Sequence, residues 1–447
     1  MTRETAENFA MCASGSPIVA CATPRGRSAI AMVRGSGKNI VSIFQSAIYP
    51  NKNIEELEPN KTVMIIIRIG DITDKGMITV YYAPNSYTGE DMVELSVHGN
   101  PVLVDLILKE CIKSGMRLAL PGEFTLRALL NGKMDLMEAE SVRATVEART
   151  ERALSAVRRS IQMHPQIKQA KQDIWNILVE ISAMLEFPED EVPKMQQKKW
   201  SKKLIQTKKS LSEFFYRVRD SKILTEGMQI VVAGESNVGK STLFNRIIGA
   251  ERAIVTPHPG TTTDIIEATV EISGVPVKIL DTAGLRHSQH PVEIEGIKRA
   301  RNVLDSADIL LWVVDASKPP QNTDIPSNSI VILNKIDLGI CEETIEKFPH
   351  SIKISALTTQ GMDKLLKRVE ELFEQIPNEA MVISVRVESL LKDTIAEIEQ
   401  ALDAMTNNYW DVTQISIENA DTALGKIFLE QEKDIYDEIF SRFCVGK

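Results

Sequence analysis

The segment Gly234-Glu-Ser-Asn-Val-Gly-Lys-Ser241 sets two glycines, a lysine and a hydroxyl between an apolar run and a helical one. Glycine lets main-chain N–H groups approach phosphate oxygens, and the N-terminus of the following helix adds partial positive charge. In such a loop Lys240 reaches the β and γ phosphates of a nucleoside triphosphate and Ser241 binds Mg²⁺, with Asn237, Val238, Gly239 and Thr242 completing the cradle. Asp281-Thr282-Ala283-Gly284 closes a later strand-like run, which brings a carboxylate to the Mg²⁺ shell and the Gly284 N–H to the γ phosphate. Asn334-Lys335-Ile-Asp337 closes another, and there the Asp337 carboxylate can accept hydrogen bonds from both N1–H and the 2-amine of guanine. Adenine would leave that acceptor unpaired, at a cost of about 1–3 kcal/mol. Ser355-Ala356 then offers a backbone N–H to the base oxygen, with Leu357 next to them in the binding segment. The chemistry implied is the binding of GTP with Mg²⁺ and the hydrolysis of its terminal phosphate.

These residues need a doubly wound, mostly parallel sheet to hold them, and its pattern is present. Apolar runs at 229–233, 277–280, 309–314, 330–333 and 351–354 alternate with helical stretches, and the run 242–248 follows the loop directly. A P-loop domain over residues 226–378 is expected. Upstream, β-rich runs at 17–23, 30–33, 63–69 and 77–82 mix with helices, which reads as an α+β domain over 1–120. From 121 to 225 strand signals vanish, and Ile174, Ile177, Leu178, Ile181 and Leu185 recur at helical spacing. Helical periodicity returns through Val387, Leu390, Leu391, Ile395 and Ile398, so the nucleotide domain is expected to interrupt one helical domain made of 121–225 and 379–447. The fold class is thus multidomain, α/β plus α. Pro165, after His164, is expected to end or kink a helix. The run Lys194–Lys209 holds seven lysines and no acid, which reads as a solvated helix face rather than a base-stacking surface.

Length and composition bound the rest. A chain of 447 residues exceeds what one core supports, so several domains are required. The formal charge of -9 excludes a large basic surface, so any nucleic-acid substrate would be held mainly by a partner. Five scattered cysteines (Cys12, Cys21, Cys111, Cys341, Cys444), none spaced C-x-x-C, point away from a disulfide framework or zinc site and toward a reducing cytoplasm. No apolar stretch reaches membrane-spanning length, and the run after Phe9 is broken by Ser14, Gly15, Ser16 and Pro17, unlike a signal peptide.

The order of the nucleotide motifs resembles the translation-factor-like GTPases, and that resemblance makes Thr262, in Gly260-Thr-Thr-Thr-Asp264, the switch threonine that senses γ phosphate and Mg²⁺. Leu285 stands where a Ras-like water-orienting glutamine would be, so hydrolysis needs another polar group. Ala22-Thr-Pro with Gly26-Arg27, Arg34-Gly-Ser-Gly, Asn85-Ser-Tyr-Thr-Gly-Glu-Asp, Pro121-Gly-Glu-Phe-Thr-Leu-Arg-Ala, Asn131-Gly-Lys-Met-Asp-Leu and the terminal Phe443-Cys-Val-Gly-Lys resemble the MnmE (TrmE) tRNA-modification GTPase family almost end to end. That resemblance implies an N-terminal dimerisation domain binding a reduced folate (5,10-methylene- or 5-formyl-tetrahydrofolate) at Arg34, Glu94, Lys133 and Lys447. It implies a K⁺ site at Asn237, Thr256, His258 and Thr261, with Pro257 and Pro259 in the same loop. Glu293 is implied as the catalytic, water-positioning glutamate, acting with Lys240 and Asn237. Where the family reads Gly-Thr-Thr-Arg-Asp this chain has Thr263. Cys444 is read as a small apolar residue rather than a nucleophile. The implied protein is a cytoplasmic homodimer whose G domains activate on pairing. It forms a heterotetramer with an FAD-binding MnmG-type partner and modifies the wobble uridine of tRNA with a carboxymethylaminomethyl-type group. A regulatory GTPase of ribosome assembly or stress signalling, with no folate chemistry, is the alternative.

Overall fold

The computed structural model describes residues 15–186, 194–218, 222–250, 252–253, 266–281, 307–320, 325–326, 329–374, 376–377, 379–428 and 446. It divides into two compact units, residues 1–143, 171–201 and 389–447 in one, and 144–170 with 202–388 in the other.

The first unit is built on six strands, β1 (Ile18–Cys21), β2 (Ser28–Ser36), β3 (Val63–Ile69), β4 (Ile72–Tyr81), β5 (Met92–Gly99) and β6 (Arg117–Leu118), ordered β3-β4-β5-β2-β1-β6. Only β1–β6 is parallel. The two-residue side-chain period decides what each face does. Val33, Ile65, Ile67, Ile78, Val80, Val93, Leu95 and Val97 point one way and are buried in one core with Ile40 and Phe44 of the helix Ile40–Ile48 and Ile107 of the helix Pro101–Lys113. The other face carries, in one register row, Met32, Ser96, Met77 and Met64, with Arg34, Glu94 and Thr79 in the next row on that face. Met64, Ile66, Met77 and Ile30 are exposed there.

The second unit holds a seven-stranded sheet, β7 (Met228–Gly234), β8 (Arg252–Ala253), β9 (Ile266–Ile272), β10 (Val275–Asp281), β11 (Ile309–Asp315), β12 (Ser329–Asn334) and β13 (Ile352–Lys353), ordered β13-β12-β11-β7-β10-β9-β8. The pairs from β13 through β10 are parallel, and β9 and β8 add antiparallel at one edge. Buried Val232, Ile279, Leu311 and Ile332 pack with Leu243 and Ile247 of the helix Lys240–Ala250. This is the doubly wound arrangement the apolar runs predict, with strand ends within two residues of the expected ones.

Helices dominate the remaining segments: Glu123–Leu130, Leu136–Glu147, Glu151–Glu186, Lys194–Val218, Val385–Thr406 and Trp410–Phe428. Pro165 lies inside the 36-residue helix Glu151–Glu186 and does not end it. Ala153, Ala156, Val157, Ser160, His164, Ile167 and Ala170 are buried at helical spacing on either side of it. Burial of that stripe offsets the roughly 3 kcal/mol that an interior proline costs. In the lysine-rich helix Lys194–Val218, Trp200 and Leu204 are buried while Lys198, Lys199, Lys202, Lys203 and Lys209 are exposed, the solvated face expected. Among the described residues no helix is long and apolar enough to cross a membrane.

Candidate functional site

The parallel strands of the second unit end together. Gly234 pairs with Val313, Asp281 with Val232, and Asp315 with Asn334, so the carboxyl ends of β7, β10, β11 and β12 form one rim. Open α/β sheets bind ligands outside this rim. Two glycines are demanded by the approach of the phosphate loop to it. Gly234 has φ 141°, and a Cβ there would lie 2.2 Å from the Val313 carbonyl oxygen. Gly239 has φ 98°, and a Cβ would lie 2.3 Å from Asn334 Nδ2.

Lys240 is buried and donates from Nζ to the carbonyl oxygens of Glu235 at 2.6 Å and Gly234 at 3.2 Å. Its ammonium therefore sits inside the loop, where a phosphate would compete with two carbonyls. Ser241 Oγ donates to Asp281 Oδ2 at 2.7 Å. A hydroxyl and a carboxylate converging in this way are the hard oxygen donors that a Mg²⁺ ion takes, with waters and phosphate oxygens filling the remaining positions. Asn237 is exposed in a left-handed backbone conformation, φ 62°.

The segments that follow β12 and β13 are tied to that loop. Asn334 donates from Nδ2 to the Val238 carbonyl at 2.8 Å and accepts the Ala356 N–H on Oδ1 at 2.9 Å. Lys335 donates to the Asn237 carbonyl at 2.6 Å and pairs with Asp315 Oδ2 at 2.7 Å. Burial alone would raise the Asp315 pKa. The hydrogen bonds from Lys335 and Ser317 and the Lys335 charge outweigh it, and the carboxyl is held below its ordinary range. Asp337 lies in the short helical turn Ile336–Leu338 just beyond β12. Ser355 and Ala356 are fully buried and Leu357 is exposed. The Ser355 N–H is spent on the Gln360 carbonyl at 2.9 Å, so with the Ala356 N–H on Asn334 both amides named from the sequence already have partners inside the protein.

In the first unit Arg34 and Glu94 lie directly opposite on β2 and β5. Arg34 donates from Nε to Glu94 Oε1 at 2.8 Å, its NH2 lies 2.6 Å from the same oxygen, and NH1 donates to the Gly446 carbonyl at 3.1 Å. Its guanidinium carbon sits 5.7 Å from the Tyr87 ring centroid and 5.8 Å from that of Phe124. Tyr81 donates to Glu94 Oε2 at 3.1 Å, and burial together with the Glu94 charge raises the Tyr81 pKa. Cation, carboxylate and two aromatic rings fit a planar heterocycle with an anionic tail. Lys133 donates to the Pro84 carbonyl at 3.0 Å.

Behind these walls runs a buried ion network. Arg127, 1% exposed, reaches Glu90 Oε2 at 2.9 Å, Glu123 Oε1 at 2.8 Å and the Ser16 carbonyl at 2.7 Å. Glu90 also accepts from Ser36, and Glu123 from Arg117 and the Leu120 N–H. Burial pushes the Glu123 pKa up, but the Arg117 and Leu120 hydrogen bonds and the two arginine charges prevail and lower it.

Thr256, Pro257, His258, Pro259, Gly260, Thr261, Thr262, Thr282, Ala283, Gly284, Glu293 and Lys447 lie outside the described residues. Sequence reasoning did not reach Asp315, Arg127, Tyr87 or Phe124 as parts of these sites. The last three stand in the quoted segments Asn85–Asp91 and Pro121–Ala128, and that placement was the available signal.

Two family models match the chain. One, the MnmE helical domain, covers residues 136–444, and the other, the GTP-binding protein TrmE N-terminus, covers 17–133. Among curated relatives, the tRNA modification GTPase MnmE of Aquifex aeolicus is 36% identical over 449 residues, spanning 96% of this chain and 99% of the relative. Its counterpart from Thermotoga maritima is 36% identical over 456 residues, with 96% and 99% covered. That of Thermus thermophilus is 34% identical over 440 residues, again with 96% and 99% covered.

Proposed function

We propose a working cycle for this chain from a plain premise: it belongs to the MnmE (TrmE) family of tRNA modification GTPases, matching relatives over nearly its whole length. The cycle binds GTP on the rim of the parallel sheet and hydrolyses it. The observation that carries this reading is the convergence of Lys240, Ser241–Asp281 and Asn334–Lys335 on one phosphate loop.

In this reading Lys240 leaves the Gly234 and Glu235 carbonyls to neutralise the β and γ phosphates. Ser241 and Thr262 would hold Mg²⁺, which when bound supplies charge neutralisation. Asp337 reads the base. Asn237, with Thr256, His258 and Thr261, holds K⁺, which when bound supplies the positive charge an arginine finger would bring. Glu293 orients the attacking water, because Leu285 cannot.

The first unit supports the folate part of the proposal through Arg34 and Glu94, joined by Lys133 and Lys447. Glu94 accepts hydrogen bonds from the pterin and the cations pair with the glutamate tail, while the folate supplies the one-carbon unit. The exposed apolar side chains Met64, Met77, Ile66 and Ile30 on the same sheet face support a homodimer, since exposed apolar surface of this kind is covered in most soluble proteins. An FAD-binding MnmG-type partner completes a heterotetramer and carries most of the tRNA contact, in keeping with the charge of -9. The setting is the cytoplasm. Residues 1–120, 121–225, 226–378 and 379–447 are the proposed domain limits.

The test is GTP turnover by the full chain in K⁺ against Na⁺, with Glu293→Ala alongside. Turnover that is faster in K⁺ and lost in the variant is expected, whereas ion-independent hydrolysis that survives the substitution refutes the mechanism. Calorimetry with 5-formyl-tetrahydrofolate, repeated on Arg34→Ala, separates this reading from a regulatory GTPase without folate chemistry: absent or unaltered affinity favours the latter.

A further inference from the structure

The loop that follows β13 is held from an unexpected direction. Arg246, six residues past Lys240 on the helix that begins at the phosphate loop, donates from Nε to the Ala356 carbonyl at 3.0 Å and from NH2 to the Leu357 carbonyl at 2.9 Å. Hydrogen bonds from a charged donor are about twice as strong as neutral ones, and a planar guanidinium fixes both acceptors in one orientation. The constraint passes through the peptide group. Cis bonds among the described residues are confined to Ala83-Pro84, so the Ala356–Leu357 peptide is trans and its N–H points opposite its C=O. Holding the Ala356 carbonyl on Arg246 therefore holds the Leu357 N–H on the side away from that guanidinium. The neighbouring amides are already committed, Ser355 N–H to Gln360, Ala356 N–H to Asn334 Oδ1 and Thr358 N–H to Ser355 Oγ.

We infer that Arg246 is a positioning residue for base selection: by gripping the Ala356 and Leu357 carbonyls it presents the loop amides, that of Leu357 foremost, to the oxygen at position 6 of guanine. This rests on the reading that Asn334–Asp337 and Ser355–Leu357 bind guanine. In this role Arg246 acts through the Ala356 and Leu357 carbonyls. Its effect is confined to one atom of the ligand, and that sets it apart from a side chain that merely stabilises the helix.

The experiment compares GDP with 6-thio-GDP, which keeps N1–H and the 2-amine for Asp337 and replaces only the oxygen by a poorer acceptor. Dissociation constants are measured by calorimetry on the full-length protein and on Arg246→Ala and Arg246→Lys, with thermal melting to confirm folding. The wild type is expected to prefer GDP. Arg246→Ala should bind GDP about tenfold more weakly, the loss of roughly one net hydrogen bond, while 6-thio-GDP changes little and the preference collapses. Arg246→Lys, which retains one cationic donor, should fall between. Equal weakening on both ligands, or none on either, overturns the role of Arg246 and leaves the guanine site standing. A wild type that binds ADP as well as GDP overturns the guanine site and this inference together. If Arg246→Ala does not fold, Arg246→Gln, which keeps donors on a neutral stem, is measured in its place against the same ratio.

Discussion

Replacing Arg127 by methionine isolates the buried ion network of the first unit. The substitution keeps an unbranched side chain of similar reach in a site that is 1% exposed, and it deletes the contacts to Glu90, Glu123 and the Ser16 carbonyl. Removing one member of a buried charge pair costs about 3–5 kcal/mol, chiefly because the partner is left charged in a poor solvent. Here Glu123 keeps Arg117 and Glu90 keeps the Ser36 hydroxyl, so the lower end, about 3 kcal/mol, is expected. Urea unfolding in a Trp312→Phe background reads this unit, because the remaining tryptophans, Trp175, Trp200 and Trp410, all belong to it. With a slope of roughly 1–3 kcal/mol per molar, the midpoint should fall by about 1–3 M. The effect must also depend on pH. The folded-state pKa of Glu123 is lowered, so its contribution is fully present above the unfolded value near 4.5 and is lost as pH falls through the folded value. The gap between wild type and Glu123→Gln should therefore shrink on acidification below that range. A midpoint shift under about 0.3 M for Arg127→Met, or a Glu123→Gln gap that widens in acid, would refute the reasoning.

Asp337→Asn should exchange guanine for xanthine preference, and a variant that still prefers GTP over xanthosine triphosphate would show the base reader to be elsewhere. Lys240→Ala removes the cation at the centre of the phosphate loop and should abolish turnover, which a phosphate-release assay checks. Asp315→Asn takes the ion pair from Lys335, so GDP affinity should drop roughly five- to tenfold at neutral pH, about one charge-assisted hydrogen bond. In the wild type that contribution is present above the ordinary carboxylate range and fades as pH falls through the lowered Asp315 pKa, so GDP titrations from pH 7 downward should bring wild type and variant together.

The parallel sheet was readable because buried strands of α/β folds are continuous apolar runs closed by polar residues. The observed ends at Gly234, Asp281 and Asn334 coincide with the motif residues for that reason. Strand β3 reads equally well, since Ile65 and Ile67 alternate with exposed Met64 and Ile66. Strand β5 went unread although Val93, Leu95 and Val97 alternate, because Glu94 and His98 look like loop chemistry until Arg34 and Asp74 are seen beside them. Pro165 does not end its helix, as local backbone preference there yields to a buried stripe. In the nucleotide site the loop and the guanine motif carry their own signatures. Arg246 and Asp315 do not, because contacts across 110 and 20 residues leave no periodic trace, and neither residue type is unusual where it stands.

The ammonium of Lys240 donates to two peptide oxygens and the hydroxyl of Ser241 to a carboxylate. Bonds of this kind tie the loop to its own backbone and to the end of β10. The same arrangement makes affinity a contest. Every incoming phosphate must displace resident oxygens of fixed strength, so a weaker anion loses to the protein itself, and discrimination among ligands begins before any of them has bound.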